Sequence, residues 1–413
     1  MTIAAALETA PARARRTALR ANWILGPRED LIWLIGSVLA AWAIFAMHSV
    51  LHWNMILVWF VWVVLLDTPH FWATYSRTYL DREEWRQRRP LLIGSLGIFL
   101  LGPVAMIVSY GLLGVGAERF LLPWVTFKIL VSLWAYWHIT RQHYGFMRLY
   151  QRKNEDTGRF DLKLDAWVLY GCLLLPFVAL LVRHQDARAR LGLGAVAEWP
   201  AWTGAESLVP TLASLSWEHW LVVVTAAGVA VLLTALVARQ IVKARRGEPL
   251  NLPKLLFFAA VIPLHLGMCY SPALLATGLL TFTVIVTIYH DIQYLAIVWF
   301  HGRNRYEAGG VRQRSFGLAE VVTRNPVLWL GAGILVASVP VWTLGCLINR
   351  VPVCETGPAL GQMTFLGDTT WIAFFVMLTS GIQMHHYLLD QFIWKPSRDA
   401  RLREDLKLEP KTV

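Results

Sequence analysis

The stretch "SGIQMHHYLLDQFIWK" at 380–395 places His385, His386 and Asp390 inside an otherwise apolar run. Three more runs carry the same kind of chemistry. "LLDTPHFWATYSR" holds Asp67 and His70; "WHITRQHYGFMRLYQRK" holds His138 and His143 with Gln142 between them. "YHDIQYLAIVWFHGRNRY" holds His290, Asp291, Gln293 and His301, and Gln383 precedes the histidine pair of the first stretch. Neutral imidazole is a common metal ligand that suits iron, zinc and copper. A nearby carboxylate serves either as a further ligand or as an acceptor that fixes the imidazole tautomer. The expected chemistry is metal binding by His70, His138, His143, His290, His385 and His386. Asp67, Asp291, Asp390, Gln142, Gln293 and Gln383 are expected to support those ligands or join them.

Spacing limits how these residues can combine. Asp67 and His70 are three apart and share a helix face. His138 and His143 are five apart, about 140° around a regular helix, and His385 and His386 are about 100° apart. Neither pair can ligate one ion without a bulge, so one histidine per segment, four in all, is the economical arrangement. A dinuclear site using all six with a carboxylate is the other possibility the spacing allows. The remaining histidines are read as structural: His48, His52, His184 and His219 as interfacial polar residues, His265 as a core histidine, and His301 as too shallow to join the cluster.

The elements that carry these residues are membrane helices. Of 413 residues, 56% are hydrophobic, 16% are charged and 21 are Trp. The mean hydropathy is +0.48. Ten apolar runs fall at about 31–50, 52–75, 91–115, 121–147, 164–182, 218–240, 253–270, 273–301, 326–348 and 369–394. Most are near the ~20 residues needed to cross a hydrocarbon core of ~30 Å. The expected fold is all-α, a polytopic transmembrane bundle of about ten helices. It occupies one domain over 31–394, with an outer loop at 183–217. Residues 1–30 read as a flexible cytoplasmic leader and 395–413 as a basic cytoplasmic tail.

The net charge of +11 does not mark a nucleic-acid partner. With the first segment inside, the inner segments (1–30, 76–90, 148–163, 239–254, 302–325, 395–413) hold 31 of the 38 Lys and Arg residues. Such a bias orients a membrane protein and predicts that both termini are cytoplasmic, in a bacterial-type inner (plasma) membrane. Counting back from the first basic residue at each inner end puts His70, His143, His290 and His385 roughly 7–20 Å below the interface, in one slab. Ionisable groups at that depth are costly and face a bundle interior or a cavity. Among the four cysteines, Cys346 and Cys354 are placed where an oxidising compartment would permit a disulfide, and Cys172 and Cys269 read as small apolar side chains.

Four short stretches, "PHF" at 69–71, "HYGF" at 143–146, "YHDIQYLAIVW" at 289–299 and "HHYLLDQFIW" at 385–394, resemble the Brp/Blh family of membrane β-carotene 15,15′-dioxygenases. The resemblance implies a non-haem iron ligated by His70, His143, His290 and His385. Tyr294 stands where the family's motif has a second histidine, and His138, His301 and His386 are additional. The chain is also longer than the family's usual size.

The function expected from these features is a membrane oxidoreductase. One or two non-haem iron ions would act with dioxygen on a lipophilic, isoprenoid or acyl-chain substrate held in the bilayer. Tyr144, Tyr294, Tyr387 and Trp137 are expected to line its channel. A ferredoxin-type donor on the basic cytoplasmic face would supply electrons if the reaction needs them; no flavin or nicotinamide motif is present. A haem-binding cytochrome or quinol oxidoreductase and a metal-free transporter are the alternatives.

Overall fold

The computed structural model describes residues 19–109, 123–191, 193, 215–307, 316–347, 364–366 and 369–408. Ten long helical stretches correspond to the ten apolar runs: α1 (Pro27–Ser49), α2 (Leu57–Thr78), α3 (Arg82–Ile107), α4 (Pro123–Lys153), α5 (Arg159–Arg183), α6 (Trp217–Arg246), α7 (Leu252–Tyr270), α8 (Leu279–Glu307), α9 (Pro326–Leu347) and α10 (Trp371–Ile393). Strand is confined, among the described residues, to Leu19–Arg20 paired in parallel with Leu250–Asn251 and to Thr364–Leu366 against Thr369–Thr370. Seven of the helices are long and apolar enough to cross a membrane.

Helix α8 is the hub. Its apolar stretch is 83% buried, against 22% for α1 and α6. Tyr289, Tyr294, Val284 and Ile285 of α8 are among the most buried side chains. By contrast, Leu39, Leu57, Leu100, Val224 and Leu335 on other helices point outward, each more than half exposed. A large apolar surface of this kind suits a hydrocarbon solvent better than water. Two glycines let helices approach closely, as small residues do at membrane helix interfaces. A Cβ at Gly333 of α9 would press on Trp72 and Pro69 of α2, and one at Gly381 of α10 would press on the Phe99 backbone of α3.

Prolines and polar caps set the helix ends and bends. Pro69 lacks the N–H that would bond Leu65, and α2 answers with a π-helical turn at Val63–Asp67 just before it. Asp81 caps α3 by accepting from the backbone N–H groups of Glu83 (2.8 Å) and Glu84 (3.0 Å). Gly247, at φ 69°, closes α6 in the left-handed conformation that glycine adopts without strain.

The charged helix ends meet at one end of the bundle in two ion networks. Lys254, 1% exposed, donates to Asp156 (2.5 Å) and Asp165 (2.6 Å), and Lys243 donates to Asp156 at 2.9 Å. Arg305 pairs with Asp81 and Glu83, both at 2.9 Å, and with Asp405 at 3.2 Å. Lys153 Nζ donates to the Lys407 carbonyl at 2.7 Å, which ties the end of α4 to the C-terminal segment.

The segment expected to be a free leader as far as residue 30 is attached from Leu19 onward. Asn22 exchanges hydrogen bonds with Asn154, and α1 already begins at Pro27. The expected tail is likewise docked as far as Leu408, through Arg305–Asp405 and Arg88–Asp399 (2.8 Å). Most of the expected outer loop at 183–217 lies outside the described residues, as does Cys354, so the Cys346–Cys354 pairing does too. Cys172 and Cys269 are buried free thiols.

Burial alone would raise the Asp156 carboxyl, but Lys254 and Lys243 outweigh it and hold the group below the usual carboxylate range. Because the folded value is depressed, this stabilisation is complete above the unfolded value near ~4 and is lost as pH falls through the folded one. Asp156→Asn leaves Lys254 and Lys243 short of a counter-ion, and removing one partner of a buried pair costs ~3 kcal/mol or more. Thermal unfolding in detergent should show a lowered Tm for this variant at pH 7. The gap from the parent protein should narrow below pH ~4.

Candidate metal centre

Four helices deliver the cluster. The π turn of α2 carries Trp62 on one side and ends at Asp67, and the following turn presents His70 to the interior. On α10, His386 and Asp390 are four apart and so share a face. On α8, His290 and Asp291 are adjacent, and α4 contributes His138. The imidazole centroids of His70 and His386 are 4.3 Å apart, His138 and His386 4.8 Å, His70 and His290 5.0 Å, and His138 and His290 5.2 Å. All four rings are buried, none more than 5% exposed, and Asp67 and Asp291 are buried with them.

Three overlapping groups have ligand atoms within 4.8 Å of one another: His70, His138 and His290; His138, His386 and Asp390; Asp67, His70 and Asp291. His386 Nε2 lies 3.2 Å from His138 Nε2 and 3.6 Å from Asp390 Oδ2. His70 Nδ1 lies 3.3 Å from Asp291 Oδ1.

The surrounding hydrogen bonds determine which nitrogens keep a lone pair. Tyr294 and Thr74 both donate to Asp390 Oδ1, at 2.7 and 3.1 Å. With its proton so used, Thr74 Oγ1 accepts from His386 Nδ1 at 2.7 Å, and His386 Nε2 is left unprotonated toward the cluster. His70 Nδ1 donates to the Asp67 carbonyl at 3.2 Å, leaving His70 Nε2 free. That arrangement, one ring nitrogen anchored and the other presented, is the habit of metal-ligating histidines. Trp62 donates to Asp291 Oδ2 at 2.8 Å and fixes that carboxylate.

Several atoms in this slab have no hydrogen-bond partner among the described residues: His70 Nε2, His290 Nδ1 and Asp291 Oδ1. Unpartnered buried polar atoms are costly and rare, and each requires an explanation. A cation among these lone pairs satisfies all three, and the nitrogen and carboxylate donors fit iron or zinc.

The other expected site residues are distributed unevenly. His143 sits beside the cluster, its ring 6.5 Å from that of His290, with Nε2 at 3.1 Å from Gln293 Oε1 and the ring stacked on Tyr289 at 5.2 Å. Gln293 continues to the Leu34 carbonyl at 2.7 Å. His385 points to α2 and α3, with Nε2 at 2.9 Å from Ser95 and 3.0 Å from Tyr79. The resemblance implies His143 and His385, yet the residues that converge are His138 and His386. The physical reason is rotation: the two pairs were 140° and 100° apart, and packing turned the other member of each inward.

Gln142 donates to the His290 carbonyl at 3.2 Å, behind the cluster. Gln383 is half-buried and makes no hydrogen bond to the cluster among the described residues. Tyr294 and Tyr387 do border the cluster, Tyr387 stacking on His138 at 4.5 Å. Trp137 and Tyr144 instead stack on Tyr170, at 5.6 and 5.2 Å, and lie beside Arg141; Trp137 is 41% exposed. They face away from the cluster, on the outer surface of α4. Thr74 and Trp62, which organise the two carboxylates, were not singled out from the sequence. The spacing of Thr74 four residues after His70 was the available signal.

Among the remaining histidines, His265 is a satisfied core residue, bonded to Tyr136 at 2.7 Å and Tyr289 at 2.5 Å. His301 joins Asp405 at 3.3 Å near the charged end, away from the cluster.

Substitution separates the converging histidines from their neighbours. His386→Ala and His138→Ala should lower the metal content of purified protein at least twofold, whereas His143→Ala and His385→Ala, which alter only the surroundings, should retain most of it. Elemental analysis of monodisperse protein makes the comparison. Compared with family models, curated proteins and solved structures, the chain has no match.

Proposed function

We propose that this chain is an integral-membrane oxidoreductase with a histidine- and carboxylate-bound non-haem iron centre, acting with dioxygen on a lipophilic substrate. The observation that carries this reading is the convergence of four imidazoles and three carboxylates in a dry slab, with lone pairs left unpartnered among them. Iron at such a site supplies the redox chemistry that activates dioxygen.

The chain's own residues hold the ligands and keep water out. Asp390, fixed by Tyr294 and Thr74, orients His386; Trp62 orients Asp291. Tyr387 and Phe71 cover the imidazoles, and the apolar bundle around them offers an isoprenoid or acyl chain a solvent like its own. The resemblance of the motifs to membrane carotenoid dioxygenases supports the type of catalysis more than any particular substrate. We further place ten spans across an inner membrane with both termini cytoplasmic, on the bias of Lys and Arg to one set of loops. The basic end then faces the cytoplasm and offers an acidic electron donor Lys395 and Arg398 at a pocket of about 480 Å³, where Arg88 and Arg401 are already paired with Asp399 and Glu83.

The ring spacings weigh against the haem alternative. Centroids 4.3–5.2 Å apart leave no room for a macrocycle between facing imidazoles.

Protein purified in mild detergent should contain iron and show no Soret band. It should also consume dioxygen when supplied with an isoprenoid or acyl lipid, and His290→Ala should lose this activity. A Soret band would establish the cytochrome reading instead, and metal-free protein that cannot be loaded with iron would favour the transporter.

A further inference from the structure

Resting on that reading, we infer that the centre is built for two metal ions. One belongs to Asp67, His70 and Asp291, the other to His138, His386 and Asp390, with His290 between them.

The donor set is too large for one ion. Four imidazoles and three carboxylates supply seven ligand side chains, and octahedral first-row ions take six donors at most while catalytic sites keep a position open. The set also divides by helix. Asp67, His70 and Asp291 come from α2 and α8, and His138, His386 and Asp390 from α4 and α10. Within the second trio, Asp390 Oδ2 lies 3.6 Å from His386 and 3.8 Å from His138. Within the first, Asp291 Oδ1 lies 3.3 Å from His70 Nδ1, so the carboxylate meets the anchored edge of the ring beside the Asp67 carbonyl. His290 lies against both, with ring centroids 5.0 Å from His70 and 5.2 Å from His138, and the two trios adjoin where the His70 and His386 rings are 4.3 Å apart.

Charge balance points the same way. Among the described residues, the ion-pair partners of Asp291 and Asp390 are histidines alone, and Asp67 pairs with no lysine or arginine. Buried charges must be paired or coordinate metals. Three carboxylates exceed the charge of one divalent ion, and two divalent ions with one bound hydroxide match them; the buried Arg77 is the other cation near Asp390.

The tautomers also serve both halves. His70 presents Nε2 because Nδ1 is anchored to the Asp67 carbonyl, and His386 presents Nε2 because Nδ1 is anchored to Thr74. Thr74 is therefore a positioning residue for the second half, as Trp62 is for the first.

The test is an anaerobic titration of metal-stripped, detergent-solubilised full-length protein with Co²⁺. Ligand-field absorption follows loading, and elemental analysis of the desalted product gives the stoichiometry. The expected result is a break at two equivalents. Asp67→Asn and Asp390→Asn should each fall twofold, to one equivalent, with the parent elution profile on size exclusion. One equivalent in the parent protein overturns the two-ion centre and leaves the metal-oxidoreductase reading standing. No binding at all overturns both. If either variant still takes two equivalents, or both variants take none while eluting as the parent does, the division into these two trios is wrong.

Discussion

A carboxylate inside a hydrocarbon slab must find a cation or enough donors to replace water, and the interior of this protein is arranged around that requirement. Asp291 receives Trp62 and meets His70; Asp390 receives Tyr294 and Thr74 and meets His386 and His138. Those contacts join α2, α4, α8 and α10, so the most costly groups in the sequence also define which helices must be neighbours. The same low polarity that penalises an unpaired group strengthens each bond that is made.

The constraint accounts for features that would otherwise look like local irregularities. The π turn at Val63–Asp67 widens α2 where Pro69 removes a backbone donor. Trp62, Asp67 and His70, at and just after this turn, all serve the cluster. π turns of this sort are frequent at functional sites. Gly333 and Gly381 then permit α9 and α10 to close against α2 and α3.

The charged end solves the complementary problem. Lys254 and Arg305 are buried at the rim of the bundle, where paired carboxylates replace the lost hydration. Such networks clamp helix ends and leave the slab between them free of competing charge. The cluster is thereby held by dispersion and hydrogen bonds within the slab and by ion pairs at its edge.

The amino-acid sequence by itself determined the class of the protein and the inventory of its chemistry. Apolar run length marked out a helical protein, seven of whose described helices are long and apolar enough to cross a membrane, because burying backbone polar groups in lipid leaves helix as the one open solution for such runs. Three aspartates and six histidines at similar depth marked the polar slab. Rotation about each helix axis was decided only by tertiary packing. Residues 138 and 143, or 385 and 386, have a fixed angle between them, but which one faces inward depends on the neighbours that fill the other faces. Gln293 and Tyr289 took His143, and Ser95 and Tyr79 took His385, so His138 and His386 turned to the cluster. The same rotation sent Trp137 and Tyr144, about 100° and 120° around α4 from His138, to the outside.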